Sequence, residues 1–110
     1  MANTFKNKQA VNVGTSAVSV YTVPSSTTTT LIGLTLANVS GASITATVAV
    51  TDSSAGTTAN IIKNAPIPVG SSLVACGGDQ KVVLETTDIL KVTASAANSV
   101  DAIVSYMEQT

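Results

Sequence analysis

Residues 34–50 read LTLANVSGASITATVAV, and how this stretch folds decides the architecture. In its second half Ile44, Ala46, Val48 and Val50 recur at every other position, with Thr45 and Thr47 between them. A period of two is that of a β-strand with one buried face. The first half, LTLA, is apolar and β-prone in the same way. Between the halves, Asn38-Val39-Ser40 fits the acceptor pattern for an N-linked sugar. Such a sugar needs passage through a glycosylating secretory pathway, and the N-terminal MANTFKNKQA has no apolar signal segment. The expectation is therefore a β-hairpin turning at Ser40-Gly41, with Gly41 supplying a positive φ.

The same alternation runs through the rest of the chain. Val18, Val20 and Thr22 alternate with Ala17, Ser19, Tyr21 and Val23. Ile32, Leu34 and Leu36 are expected to share a face, as are Val100, Ala102, Val104 and Tyr106, with Asp101 and Ser105 outward. Turn signals such as Pro24-Ser25-Ser26, Pro66 with Pro68, Gly70-Ser71-Ser72 and Gly77-Gly78-Asp79 separate these runs at roughly the 8–12-residue spacing of a sandwich or barrel. Strands are expected at residues 7–13, 17–23, 29–38, 43–51, 59–64, 72–76, 80–85, 89–94 and 99–107. No segment of helical length has a 3.6-residue period, so βαβ crossovers are absent and the sheets should be antiparallel.

The fold class is all-β: a single antiparallel β-sandwich of eight or nine strands, jelly-roll or immunoglobulin-like. With one Cys and no Trp, the sequence does not choose between the two topologies. Residues 1–12 read as an N-terminal arm or edge strand, and residues 13–110 as the sandwich domain.

Composition excludes several kinds of function. Ser and Thr supply 30 of the 110 residues, and the aromatics are only Phe5, Tyr21 and Tyr106. A core of Val, Ile, Leu and Ala buries less area per side chain than one rich in aromatics, which favours oligomerisation or docking on a partner. Five Lys, no Arg and six carboxylates give a net charge of −1. Without Arg, bidentate recognition of phosphate or guanine is lost, and nucleic acid is not an expected partner. No apolar run reaches the length of a membrane-spanning helix, so a membrane is not expected either.

Histidine is absent, which removes the commonest general base and metal ligand. No catalytic residue, cofactor or metal site is assigned, and the chain is not expected to be an enzyme. The carboxylates Asp52, Asp79, Glu85, Asp88, Asp101 and Glu108 read as solvated charge or turn chemistry. A calcium site built on Asp79 and Asp88 is the alternative weighed, but the dense spacing of a calcium loop is missing. Cys76-Gly-Gly-Asp-Gln-Lys81 reads as a tight hairpin, because a phosphate cradle would need a following helix. Cys76 itself reads as a small buried apolar residue. Lysines spread over separate strands protect exposed edges against aggregation.

Three stretches resemble small structural proteins of tailed bacteriophages: VYTVPSSTTTTLIGLTLANVSGASITATVAV, IIKNAPIPVGSSLV and GGDQKVVLETTDILKVTASAANSVDAIVSYMEQ. The likeness is to β-sandwich virion proteins of cyanophages and other aquatic phages, and it covers nearly the whole chain from Val18 onward. It implies a virion location after synthesis in the bacterial host cytoplasm. Two places are implied. One is the capsid exterior, as a decoration or cement protein bridging major capsid subunits; the other is the tail, neck or fibre base, as an adaptor. A compact domain with an N-terminal arm and no long repeat fits cement better. The major capsid protein is then the expected partner, and a homo-oligomer, a trimer in many cement proteins, is implied by the likeness alone. Phe5 as apolar anchor with Lys6 and Lys8 facing an acidic capsid surface are the candidate docking residues. The competing reading for Phe5 is a cap on the sandwich core. A host-surface or carbohydrate-binding module is the competing function, although sugar stacking favours exposed aromatics and both tyrosines lie in expected strands.

Overall fold

Nine strands account for most of the chain in the computed structural model, which describes residues 2–110. They are β1 (Asn3–Val13), β2 (Val18–Thr22), β3 (Thr28–Asn38), β4 (Ile44–Asp52), β5 (Thr57–Ile67), β6 (Ser72–Cys76), β7 (Val82–Leu84), β8 (Ile89–Ala94) and β9 (Val100–Gln109). Among the described residues no segment is helical. The strands coincide with the Val-, Ile- and Thr-rich runs, whose branched side chains suit a pleated surface.

The strands form two antiparallel sheets. One has the order β1-β9-β3-β6, with β7 also pairing β3; the other has the order β2-β8-β4-β5. Strands β6 and β7 follow one another along the same side of β3, opposite residues 34–37 and 29–31. Counted as one interrupted strand, they leave eight positions in two Greek keys, which is the jelly-roll order. The topology the sequence left open is thereby decided.

This order corrects the reading of residues 34–50. β3 lies between β9 and β6/β7, whereas β4 lies between β8 and β5. The two runs are not paired, so residues 39–43 form a corner crossing between sheets and not a hairpin. Positive φ falls on Gly56, Gly70, Gly77 and Gly78, and not on Gly41. The Asn38 side chain builds the corner instead. Its Nδ2 donates to the carbonyls of Ala42 (2.8 Å) and Ile67 (2.9 Å), and its Oδ1 accepts from Ser40 N (2.9 Å) and Ser40 Oγ (2.7 Å). With Asn38 buried and both amide hydrogens engaged, its nitrogen is closed to a sugar.

The core lies between the sheets. Leu31, Leu34 and Leu36 of β3 meet Leu90 and Val92 of β8, Val48 of β4, and Val100, Ala102 and Val104 of β9, all fully buried. Two expected faces shift at bulges. On β3 the register slips between Leu31 and Gly33, so Leu31 joins Leu34 and Leu36 inside and Ile32 is left half-buried. On β2 it slips between Ser19 and Tyr21, which buries Val20 and Tyr21 together. A bulge inserts one residue and so breaks the period of two. Pro66, expected in a turn, lies inside β5. That strand is at the edge of its sheet, where a residue without an N–H is tolerated.

Candidate functional site

Glu108 continues the inward-facing series Val100, Ala102, Val104, Tyr106, and this parity places a carboxylate under the sheet. It accepts a hydrogen bond from Tyr21 Oη at 2.6 Å and is ion-paired to Lys6 Nζ at 2.9 Å. Tyr21 Oη also shares a 2.7 Å hydrogen bond with Thr29 Oγ1, and its ring lies 4.2 Å from that of Tyr106. Tyr21 comes from one sheet, and Lys6, Thr29, Tyr106 and Glu108 from the other. The cluster is therefore a polar tie across the sandwich. The Tyr21 hydroxyl, and next the Lys6 ammonium, hold the Glu108 carboxyl below the usual carboxylate range. Glu108 in turn raises the Lys6 ammonium, while burial first and Glu108 second push the Tyr21 phenol well up. Every member is engaged, and among the described residues no buried side-chain polar atom lacks a partner. This is the chemistry of a strut and not of a reacting centre.

Both tyrosines are thus core residues, at 2 % exposure each, and neither offers a sugar-stacking platform. Cys76 is free and buried, and burial raises its thiol. Gly77 and Gln80 bridge across Gly78-Asp79, with positive φ at Gly78 and not at Asp79, as a two-residue turn of type II′ requires. Asp79 does not join Asp88. The acidic groups brought together are Asp52, Glu85 and Asp88, with one carboxylate oxygen of each within 4.8 Å of the others. Two of the three carboxylates, Asp52 and Asp88, already serve the backbone. Asp88 accepts from Ser53 N (3.3 Å) and Glu85 N (3.0 Å), and Asp52 Oδ1 from Ser54 N, Ser54 Oγ and Ala55 N. These are loop ties. Asp88→Ala is expected to cost about 1–2 kcal/mol in urea unfolding through the two N–H groups it leaves, and added calcium should leave the melting temperature unchanged.

The candidate docking residues all lie on β1, an edge strand. Register separates them. Lys6 and Lys8 are opposite the inward Tyr106 and Val104, whereas Phe5 is opposite Met107 on the other face. Phe5 is 72 % exposed and does not cap the core. Lys6 is committed to Glu108, which leaves Lys8 as the freer cation on that rim.

Phe5 belongs to a feature that the alternation assigned to solvent. On the outer face of the β1-β9-β3-β6/β7 sheet, Phe5, Met107, Thr30 and Val83 form one row across four strands. Gln9, Ile103, Thr35 and Val74 form another. Asn7, Ser105 and Gly33 lie between the rows. No residue of these three rows is charged; on the same face Asp101, at the start of β9 and opposite Ala37, accepts from Asn12 N at 2.9 Å. Ile103, Val74 and Val83 are 49 %, 65 % and 60 % exposed. The sequence signal was available in β9, where Ile103 and Met107 place apolar side chains on the supposedly polar parity.

No protein-family model matches the chain, and no curated protein matches it in sequence. Solved structures do match. The whole chain superposes on 91 % of a chain from Bacillus endospore appendages, described as a novel family of disulfide-linked pili, at a TM-score of 0.54 and 14 % identity. A looser match, at a TM-score of 0.46 and 12 % identity, covers 98 % of this chain and 30 % of a chain of infectious bursal disease virus, Gt strain. At 14 % identity the likeness to the appendage protein is one of fold.

Proposed function

We propose that this protein is a non-enzymatic structural protein of a tailed-phage virion, a cement that binds the outer capsid surface and bridges major capsid subunits. The observation that carries the reading is the outer face of the β1-β9-β3-β6/β7 sheet, whose central rows are uncharged and partly apolar. Apolar and short polar side chains on regular backbone lose little entropy on contact and suit lasting association. The resemblance of the three quoted stretches to phage virion proteins supports the particle. A fold shared with a spore-appendage protein is in keeping with a role in an assembly. The disulfide linkage named for that protein has no counterpart in the buried Cys76.

In this reading β1 docks on the capsid through its lysine rim, Lys8 foremost, against acidic capsid surface. Bridging adds contact area across capsomer boundaries, and the assembled shell is stabilised because the protein binds it in preference to free subunits. Quantitative mass spectrometry of purified particles tests the location. On the order of hundreds of copies, set by capsid symmetry, supports cement; a dozen or fewer moves the protein to the tail or neck. Lys6→Glu with Lys8→Glu should weaken capsid binding by about 10-fold or more at low salt. Undiminished binding removes the lysine rim as the docking element. Particles lacking the protein should lose infectivity on heating sooner than intact ones.

A further inference from the structure

The outer face of the β1-β9-β3-β6/β7 sheet has a size and a chemistry that select its occupant. β9 spans the sheet with 10 residues. At about 3.4 Å per residue and about 4.8 Å per strand, four strands present roughly 650 Å² in plane. Two such faces bury on the order of 1,300 Å², within the range of stable specific interfaces. The three central rows also lack charge, and Asp101 lies beyond them on the same face, at the start of β9. A partner carrying lysines or carboxylates here would desolvate them against Phe5, Met107, Ile103, Val74 and Val83 without a counter-charge. A second copy brings no charge to these rows, and Asp101, at the strand end and held by Asn12 N, belongs to the polar rim.

We propose that this face is the seam of a symmetric dimer, in which two copies stack the outer faces of these sheets about a two-fold axis. A face docking on itself is isologous, and a closed pair results without open-ended growth. Aligned sheets pack about 10 Å apart with their side chains interleaved. The rows Phe5–Met107–Val83 and Ile103–Val74 supply relief for this, with the low Asn7–Ser105–Gly33 row between them. Lys6 and Lys8 lie on the opposite side of β1 and stay outside the seam, so the dimer leaves the lysine rim free. The inference does not depend on the virion reading, since it concerns the isolated chain.

The test is sedimentation equilibrium of the full chain, with Val74→Lys/Ile103→Lys as the seam variant and Asn60→Lys on the opposite sheet as the control. All three sites are exposed or half-exposed strand positions, and circular dichroism of each variant verifies the fold. The wild type and the control should weigh twice the 11.0 kDa chain mass. The seam variant should be a monomer, its dissociation constant raised by at least about 100-fold through unpaired buried ammonium groups. A wild-type monomer at 100-fold dilutions on either side of about 10 μM, where interfaces of this size associate, overturns the proposal. So does a dimer that survives the folded seam variant.

Discussion

Asn38→Ala lowers the free energy of unfolding by about 3 kcal/mol and the melting temperature by roughly 10–15 °C. The effect exceeds that of an ordinary polar truncation because one side chain holds two separate stretches of chain, residues 40–42 and Ile67. Its amide nitrogen ties the carbonyls of Ala42 and Ile67, and its oxygen receives Ser40 N and Ser40 Oγ. The backbone on either side is fixed as well, with Asn38 N donating to Ser71 O and Val39 N to Ser99 O. Removing the amide orphans buried groups that the corner cannot turn towards water, and each costs its own desolvation. Asn38→Asp keeps the shape and the acceptor but loses the donors, so a carboxylate oxygen faces two carbonyls. That environment disfavours the charged form. The variant should lose further stability as pH rises above the ordinary Asp range, where the unfolded chain ionises and the folded one resists. Urea unfolding at pH 4 and pH 7 measures both effects. An Asn38→Asp variant equally stable at the two pH values, and within 1 kcal/mol of wild type, would show that the corner is not held by this amide.

The role of Asn38 was half visible in the sequence. A polar residue between two alternating runs announces a change of direction, and both β3 and β4 occur where the runs are. The signal does not say whether the chain returns beside itself or crosses to the other sheet, because both turns ask for the same small polar residues. The pairing partners of β3 are β9, β6 and β7, and these contacts are set by the packing of distant segments. β9 was the most legible element: its parity places Val100, Ala102, Val104 and Tyr106 inside as expected. One further step of the same parity reaches Glu108, and the opposite parity reaches Ile103 and Met107. Both were hidden by the assumption that charge faces outward and apolar residues inward. The bulges at Ile32 and Val20 carried no local mark, since a one-residue insertion in a Val- and Leu-rich run leaves composition unchanged.

Glu108→Ala is expected to cost about 2–3 kcal/mol at neutral pH, because it removes a charged hydrogen-bond acceptor from a buried hydroxyl. It also removes a pH dependence whose sign follows from the cluster. In the folded chain the Glu108 carboxyl ionises below its ordinary 4.5, held down first by Tyr21 and then by Lys6. Below 4.5 the unfolded chain therefore takes up the proton before the folded one does. The stabilisation is fully present above 4.5 and drains away as pH falls through the lowered native value. At the alkaline end the Lys6 ammonium is raised above 10.5 and the Tyr21 phenol above 10.0. Their share is intact below those values and is lost as pH climbs past them. Glu108→Gln keeps the size and an acceptor, so it should lose about 1–2 kcal/mol at pH 7 and show a flatter stability profile between pH 5 and pH 3. Tyr21→Phe strips the carboxylate of its nearest donor at a cost of about 2 kcal/mol. The double variant should cost less than the sum of the two, with a coupling of about 1 kcal/mol or more. Additive costs would mean that the 2.6 Å contact between Tyr21 and Glu108 is geometry without energetic consequence. The tie across the two sheets would then have to be sought in the apolar packing of Tyr21 on Tyr106.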